Sequence, residues 1–431
     1  MFIAAAPYFQ RRFRSSPKLL SNFQPTEISI SSVINLVTIL ILTNLQTNAS
    51  YPRRIILSLF MNVVGFSLLS ISTKAFLDAS ATVYFVFLML VVGLASSAAG
   101  FMQNGAFAYA AGLGRPEYVQ AIMAGQGVAG VLPLLVQIAS VLSTGDAEDD
   151  TTGGQELSDS ALGYFVTAAL VALVALAAFL YLLQRHRRKD IHSTSAHDND
   201  DVPDSVSVPA GSMLDRERSH QQPEYLKVPL LTLFQHLFYP STAIFLTFAI
   251  TMLFPIFTAE ILSTSPAASP STPAILRPAA FIPLSFLVWN TGDLLGRLVP
   301  LVPQLSLAES PKTLLLLSVL RVLHIPLYYL CNIQHATAQP TSALVAAAPL
   351  VTKMLSTVSS AAPGIRGDLF YLLVVQLPFG LTNGYVGSCA MMGATGPQYV
   401  EEHQRESAGS FMGLALVFGL TVGSLMSFLV A

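Results

Sequence analysis

FIPLSFLVWNTGDLLGRLVP, residues 281–300, is apolar enough to cross a bilayer and yet carries Asp293 and Arg297 four positions apart. A charge at bilayer depth costs about 2.5 kcal/mol or more even on the lenient insertion scale. An acid and a base at i and i+4 share one helix face and partly neutralise each other. Such a pair is kept where its face lines a polar cavity. The stretch is therefore expected to be a transmembrane helix and part of a substrate path.

The rest of the chain agrees with a membrane setting. Of its 431 residues 53% are hydrophobic and 11% charged, where soluble domains carry roughly 25% charged residues. A span needs about 20 apolar residues. Such runs occupy 28–46, 52–73, 82–103, 118–142, 161–183, 237–261, 281–300, 313–331, 369–392 and 408–430. These are expected to be ten full helices. A further apolar stretch, 341–361, holds Lys353, Pro349 and many small residues and reads as a long loop.

Charge is segregated along the chain. Residues 184–236 form the long polar stretch and read as a disordered linker. Arg185, Arg187, Arg188 and Lys189 follow directly on an apolar run, which places the linker in the cytosol by the positive-inside rule. The preceding connection, 143–160, carries six acidic residues and neither Lys nor Arg, so it belongs on the other side. Threading between these anchors puts 51–54, 115–117, 306–312 and 399–406 in the cytosol, and each carries Arg or Lys. The segment 10–25, with Arg11, Arg12, Arg14 and Lys18, reads as a non-cytosolic loop against the rule. The sequon Asn48-Ala49-Ser50 faces the cytosol on this threading, so no glycan is expected. The linker divides the chain into 1–184 and 237–431, a layout common among transporters.

Several function classes lack their chemistry. Cys331 and Cys389 offer neither a disulfide framework nor a metal site. The spans hold no nucleophile–base pair and no His/Asp/Glu metal cluster, so neither an enzyme nor a cofactor is expected. Nothing suggests nucleic-acid binding. His236 and His324 lie nearest membrane depth, and a lone histidine is weak evidence for proton coupling.

Small residues are dense in GFMQNGAF at 100–107, in 112–118 and in MAGQGVAG at 123–130. Gly and Ala at such spacing let helices approach closely, and Gln103 and Gln126 are suited either to bonding across the contact or to reading a substrate. These segments resemble helices of the equilibrative nucleoside transporter family. WNTGDLLGR at 289–297 is similar to that family's F-N-x-x-D-x-x-G-R signature. LTNGY at 381–385, with ESAG at 406–409 and Met412, resembles its N-G-Y and E-x-A-G elements.

The resemblance implies an all-α polytopic membrane protein, a major-facilitator-like bundle of about eleven helices split six and five. It implies a cytosolic amino terminus, an exterior carboxyl terminus, and nucleosides moved through a central cavity by alternating access. It assigns Gln103 to the base and the Asp293–Arg297 pair to the ribose hydroxyls, with Asn290 one turn before. A carboxylate accepts from two vicinal hydroxyls while a guanidinium donates in a fixed fork, which suits these assignments. The competing reading of the pair is a structural ion pair gating the cytosolic half.

Leu36 and Ile39 match positions lining the family's base pocket, although core packing is the better reading of each. Ile3 matches a pocket-lining methionine. Arg54 reads as a positive-inside anchor or gate residue, and Glu406 as a carboxylate at a helix start or a gating partner. The chain opens MFIAAAPYFQ, which resembles only the end of the family's first helix. About nine apolar residues span about 14 Å as helix, under half of the bilayer core. The expectation is an incomplete first helix, from a truncated gene model or in a transport-impaired protein. The expected function is a monomeric, facilitative nucleoside transporter of a plasma, vacuolar or lysosomal membrane. The alternative is a facilitator of nucleobases or another small polar solute.

Overall fold

The computed structural model describes residues 6–46, 49–75, 79–144, 153–197, 228–265, 272–328, 330–331 and 367–430. Helices account for the regular structure, and no strand forms among the described residues. The first half contains α1 (Ala6–Arg12), α2 (Pro17–Asn44), α3 (Tyr51–Ala75), α4 (Ala81–Gly112), α5 (Pro116–Thr144) and α6 (Gly153–His197). The second half contains α7 (Leu230–His236), α8 (Phe238–Thr251), α9 (Phe254–Glu260), α10 (Pro278–Leu298), α11 (Pro311–Leu320), α12 (His324–Tyr328), α13 (Leu377–Gly393) and α14 (Arg405–Val430).

Eight helices among the described residues are long and apolar enough to cross a membrane, fewer than the ten runs of the sequence. Helix α10 falls outside those eight. Its 21 residues reach about 31 Å at 1.5 Å each, a full bilayer core, but Asp293 and Arg297 dilute its apolar character.

Several boundaries depart from expectation. The supposed loop 10–25 is mostly helical, with α1 closing at Arg12 and α2 opening at Pro17 in its first turn. Proline suits that position because the first N–H groups of a helix have no intrahelical partner. Arg12 lies over the Tyr84 ring at 4.7 Å, so one of the misplaced positive charges packs on an aromatic face. Helix α6 runs 45 residues to His197, about 68 Å against a bilayer core of about 30 Å, so its basic end stands clear of the membrane. The linker's other end is helical as well, from Leu230 to His236.

Proline breaks the spans of the second half. Pro255 separates α9 from α8, since its ring cannot continue a hydrogen-bonded turn. A 3-10 turn, Arg321–Leu323, interrupts the span between α11 and α12. A π-helix, Phe370–Gln376, leads into α13. Irregular turns of both kinds within long helices recur at functional positions. The apolar stretch 341–361 lies outside the described residues.

One face of the bundle, called lower here, carries residues 45–46 and 49–50 and the connections 113–115, 299–310 and 394–404. The upper face carries the end of α3, the start of α6 and residues 272–277 before α10; there Ser158 Oγ donates to the Thr73 carbonyl at 3.1 Å.

Buried apolar residues fall into three cores. One mixes the halves, with Ile39, Phe107, Val119 and Met123 from the first and Leu237, Val386, Ala408 and Met412 from the second. The other two are private. Phe254, Phe281, Trp289 and Phe379 belong to the second half, and Phe9, Phe23, Tyr84 and Phe165 to the first. The shared core lies toward the lower face and the private cores toward the upper. Apolar burial therefore holds the halves together below while each closes on itself above. Along the seam α5 packs on α10, and α4 and α2 pack on α14.

Candidate functional site

Helix α10 places Asp293 and Arg297 on its face toward α5 and α13. Arg297 Nε donates to Asp293 Oδ2 at 2.7 Å, and the residues are 4% and 5% exposed. Burial of both charges demands further polar partners. They come from both halves. Asn383 Nδ2 of α13 donates to Asp293 Oδ1 at 2.7 Å. Arg297 Nη1 reaches into the first half, to the Met123 carbonyl at 2.9 Å and Gln126 Oε1 at 3.1 Å. Gln120 Nε2 donates to the Arg297 carbonyl. The ion pair of one half is thus tied to α5 of the other.

Asn383 extends the network. Its Oδ1 accepts from Thr251 Oγ1 at 2.7 Å, and Thr251 in turn accepts from Arg321 Nη2 at 2.8 Å. Arg321 is 1% exposed. Its Nη1 donates to the Phe379 carbonyl at 2.9 Å and to Thr382 Oγ1 at 2.5 Å, while its guanidinium sits over the Phe379 ring. The 3-10 turn that begins at Arg321 aims it inward. Asp293 therefore sits between two guanidinium systems, one in direct contact and one acting through Asn383 and Thr251.

Asn290, one turn above Asp293, donates to the Phe286 carbonyl at 2.9 Å, and its Oδ1 fills the space a side chain at Gly130 would need. Close approach of α5 to α10 depends on that glycine. Trp289 stacks on Phe254 with centroids 4.4 Å apart, a packing contact.

The structure thus gathers Asp293, Arg297, Gln126 and Asn290. Gln103 lies apart from the pair, its Oε1 3.5 Å from Asn35 Nδ2, and no hydrogen bond joins it to the pair among the described residues. Leu36 is half-buried, and Ile39 is fully buried in the shared core beside Phe107 and Gly413. Ile3 lies outside the described residues.

Arg54 belongs to a second polar cluster near the lower face. It donates to the carbonyls of Leu42 and Leu45 at 3.0 and 2.5 Å and to Asn104 Oδ1. Asn104 Nδ2 bonds Thr43 Oγ1 at 3.2 Å and Ser410 Oγ at 2.5 Å, crossing from the first half to the second. Gln46 accepts from the Val228 backbone and from Ser407, both at 3.2 Å. Glu406 packs where a side chain at Gly112 would stand. Arg54 and Glu406 thus both lie at the lower closure.

Sequence reading missed Arg321, Thr251, Asn383 and Gln120 as site residues. For Arg321 the signal was present, a lone guanidinium inside the apolar run 313–331. Arg321→Met is expected to lower the inactivation temperature of the detergent-solubilised protein. It takes a charged donor from the Phe379 carbonyl, Thr382 and Thr251, each of which keeps another partner, at a cost of about 1.5–3 kcal/mol. Arg321→Lys should recover only part of the loss, because an ammonium lacks the planar fork. An unchanged inactivation temperature in the Met variant would show that the guanidinium is dispensable.

A family model described as nucleoside transporter matches residues 88–431. Similar proteins include the nucleoside transporter FUN26 of Saccharomyces cerevisiae, 28% identical over 99% of this chain and 80% of that protein. The equilibrative nucleoside transporter 1 of Mus musculus is 26% identical over 99% of this chain and 92% of its own length. Among solved structures, the major facilitator superfamily transporter FucP covers 99% of this chain and 86% of its own at 14% identity, with a TM-score of 0.49.

Proposed function

Because the chain belongs to the nucleoside transporter family, we propose that it moves nucleosides down their gradient along a path between its two halves. The observation that carries the reading is the buried Asp293–Arg297 pair on the seam, bonded at once to Asn383 of its own half and Gln126 of the other. Ribose hydroxyls donate to the Asp293 carboxylate and accept from the Arg297 fork, taking the place of partners that now come from the protein. Gln103 and Asn35, on α4 and α2, offer amides to the base. A shared core below and separate cores above describe a transporter closed at its lower face. Rocking of the halves then exchanges that closure for one above.

We assign the lower face to the cytosol, where Arg54, Arg115 and Arg405 lie, and the carboxyl terminus to the opposite side. A plasma, vacuolar or lysosomal membrane suits this orientation equally, and the chain works as a monomer. The test is uptake of radiolabelled uridine, uracil and 2′,3′-dideoxyuridine into vesicles holding the chain. Uridine uptake should saturate, and the dideoxy analogue should enter about tenfold more slowly or worse, since unpaired buried polar groups reject it. Equal uptake of uridine and the dideoxy analogue would remove the sugar from the Asp293–Arg297 pair.

A further inference from the structure

On the other seam, away from the ion pair, α2 of the first half meets α7, α8 and α14 of the second around a groove of about 720 Å³. Leu36 and Leu40 form one wall, Phe234 and Phe238 a second, and Phe411 and Phe418 a third. Leu40 lies one turn before the lower end of α2, and Phe411 and Phe418 are about 10 Å apart along α14. The groove therefore runs inward from the lower face at the depth of acyl chains. Its surface is hydrocarbon and aromatic. The Ser241 hydroxyl on its lining is spent on the Leu237 carbonyl at 2.6 Å, which leaves Thr242 as its polar group. A nucleoside would lose its hydrogen bonds to water here without replacing them. Leu40, Phe234, Phe238 and Phe418 are exposed on a membrane-spanning bundle, so the matching occupant is itself hydrocarbon.

Two observations narrow that occupant. The first is continuity with the seam. Leu36, Phe411 and Leu414 line the groove and also belong to the shared core that closes the halves below. Helix α7 is fastened to the same seam. Leu233 is fully buried in the core, and the Val228 N–H donates to Gln46 Oε1, which also accepts from Ser407. The second observation is charge at the lower end of the groove. Phe238 packs edge-on with Tyr239 at 5.5 Å, and the exposed Lys312 ammonium stands over the Tyr239 ring at 5.7 Å. No carboxylate pairs with Lys312 among the described residues. A cation at the mouth of a hydrocarbon groove complements an anionic lipid, whose headgroup stays at the surface while a tail enters.

We propose that the groove holds an acyl chain of an anionic phospholipid from the leaflet at the lower face, and that this lipid favours the lower-closed state. Its tail touches α2 of one half and α7, α8 and α14 of the other, while Lys312 meets its headgroup. Opening below moves α2 away from α14 and takes the groove apart. A lipid that binds the closed form better shifts the balance toward it by that difference in affinity. This conformational part rests on the transport reading above; the lipid site itself does not.

The test uses the purified full-length chain in phosphatidylcholine vesicles, with phosphatidylserine or phosphatidylcholine carrying a diazirine on one acyl chain. Label should concentrate on 234–245 and 411–418 rather than on α6, where Val171 and Val174 are more exposed to the bilayer. Phosphatidylserine should label the groove about fivefold more than phosphatidylcholine, the effect of one Lys near an anionic headgroup. Lys312→Gln alters an exposed side chain and should erase that preference. The state is read by alkylation of Ser407→Cys, buried at the lower closure, against the background of the unaltered chain. Phosphatidylserine should slow it about threefold, by population shift, and Lys312→Gln should abolish the slowing. Label spread evenly over the outer helices, displacement by a sterol but not by phosphatidylserine, an unchanged preference in Lys312→Gln, or alkylation indifferent to phosphatidylserine would each overturn the proposal. Failure of the transport reading is seen separately, as absent uridine uptake by vesicles whose protein is still labelled in the groove.

Discussion

Asp293→Asn is expected to leave the protein in its membrane and to lower uridine uptake by about a hundredfold or more. The substitution keeps the shape of the side chain and removes its charge. Arg297 then stands at bilayer depth without a counter-charge, and one of the two positions that accept from Arg297 and Asn383 becomes a donor. Charge-assisted hydrogen bonds contribute about 1.5–3 kcal/mol each, and the variant loses at least one of them together with an acceptor for substrate hydroxyls. Uptake normalised to surface protein is the measurement. The double variant Asp293→Asn/Arg297→Gln separates binding from support. It restores a neutral, hydrogen-bonded pair, so a purely structural ion pair would regain uptake along with stability. A substrate-binding pair regains stability alone, and recovered uptake in the double variant would remove the ribose from this site.

The same reasoning that finds Asp293 in the sequence finds its surroundings unevenly. An acid and a base inside an apolar run are costly and therefore conspicuous, so α10 and its pair were legible from energetics alone. Arg321 carries the same signal, yet no residue near it in sequence neutralises it. Its partners, Thr251 and the Phe379 carbonyl, lie 70 and 58 positions away. Asn383 was read as part of a signature, while its bond to Asp293 spans 90 positions and exists only once α13 packs on α10. Gln103 carries the resemblance but gains Asn35 as a neighbour, a contact that depends on how α2 crosses α4. Boundaries failed where helices extend past their apolar runs. The first turns of α2 and the end of α6 are polar, because they lie at or beyond the headgroups, and hydropathy cannot register a helix satisfied by water. The pairing of cores was also out of reach, since Ile39 and Phe165 are both plain apolar residues. Only their neighbours show that one closes the seam and the other does not.

Gly384→Val is expected to abolish both uptake and the normal yield of folded protein. Helices α10 and α13 meet backbone to backbone through four glycines in reciprocal pairs. A side chain at Gly384 would collide with the Asp293 carbonyl, and one at Gly380 with the Trp289 carbonyl. From the other side, Gly292 faces the Leu377 carbonyl and Gly296 the Leu381 carbonyl. None of these obstacles is the flexible end of a side chain, so nothing local yields and the helices must separate. Overpacking a core costs about 1–3 kcal/mol when side chains can adjust, and a backbone obstacle places this variant at about 3 kcal/mol or more. The functional loss follows from geometry as well as stability. Asn383 precedes Gly384 on α13, and separation by about 1 Å stretches its 2.7 Å bond to Asp293 beyond hydrogen-bond reach. Gly384→Ala should therefore retain some folded protein with sharply reduced uptake, because the first added carbon already meets the carbonyl. Gly125→Ala is the matched control, since nothing lies within 4 Å of the added carbon there, and it should transport normally. Normal uptake by Gly384→Ala would mean that α10 and α13 tolerate separation, and that the register of Asn383 on Asp293 is not what holds the site in shape.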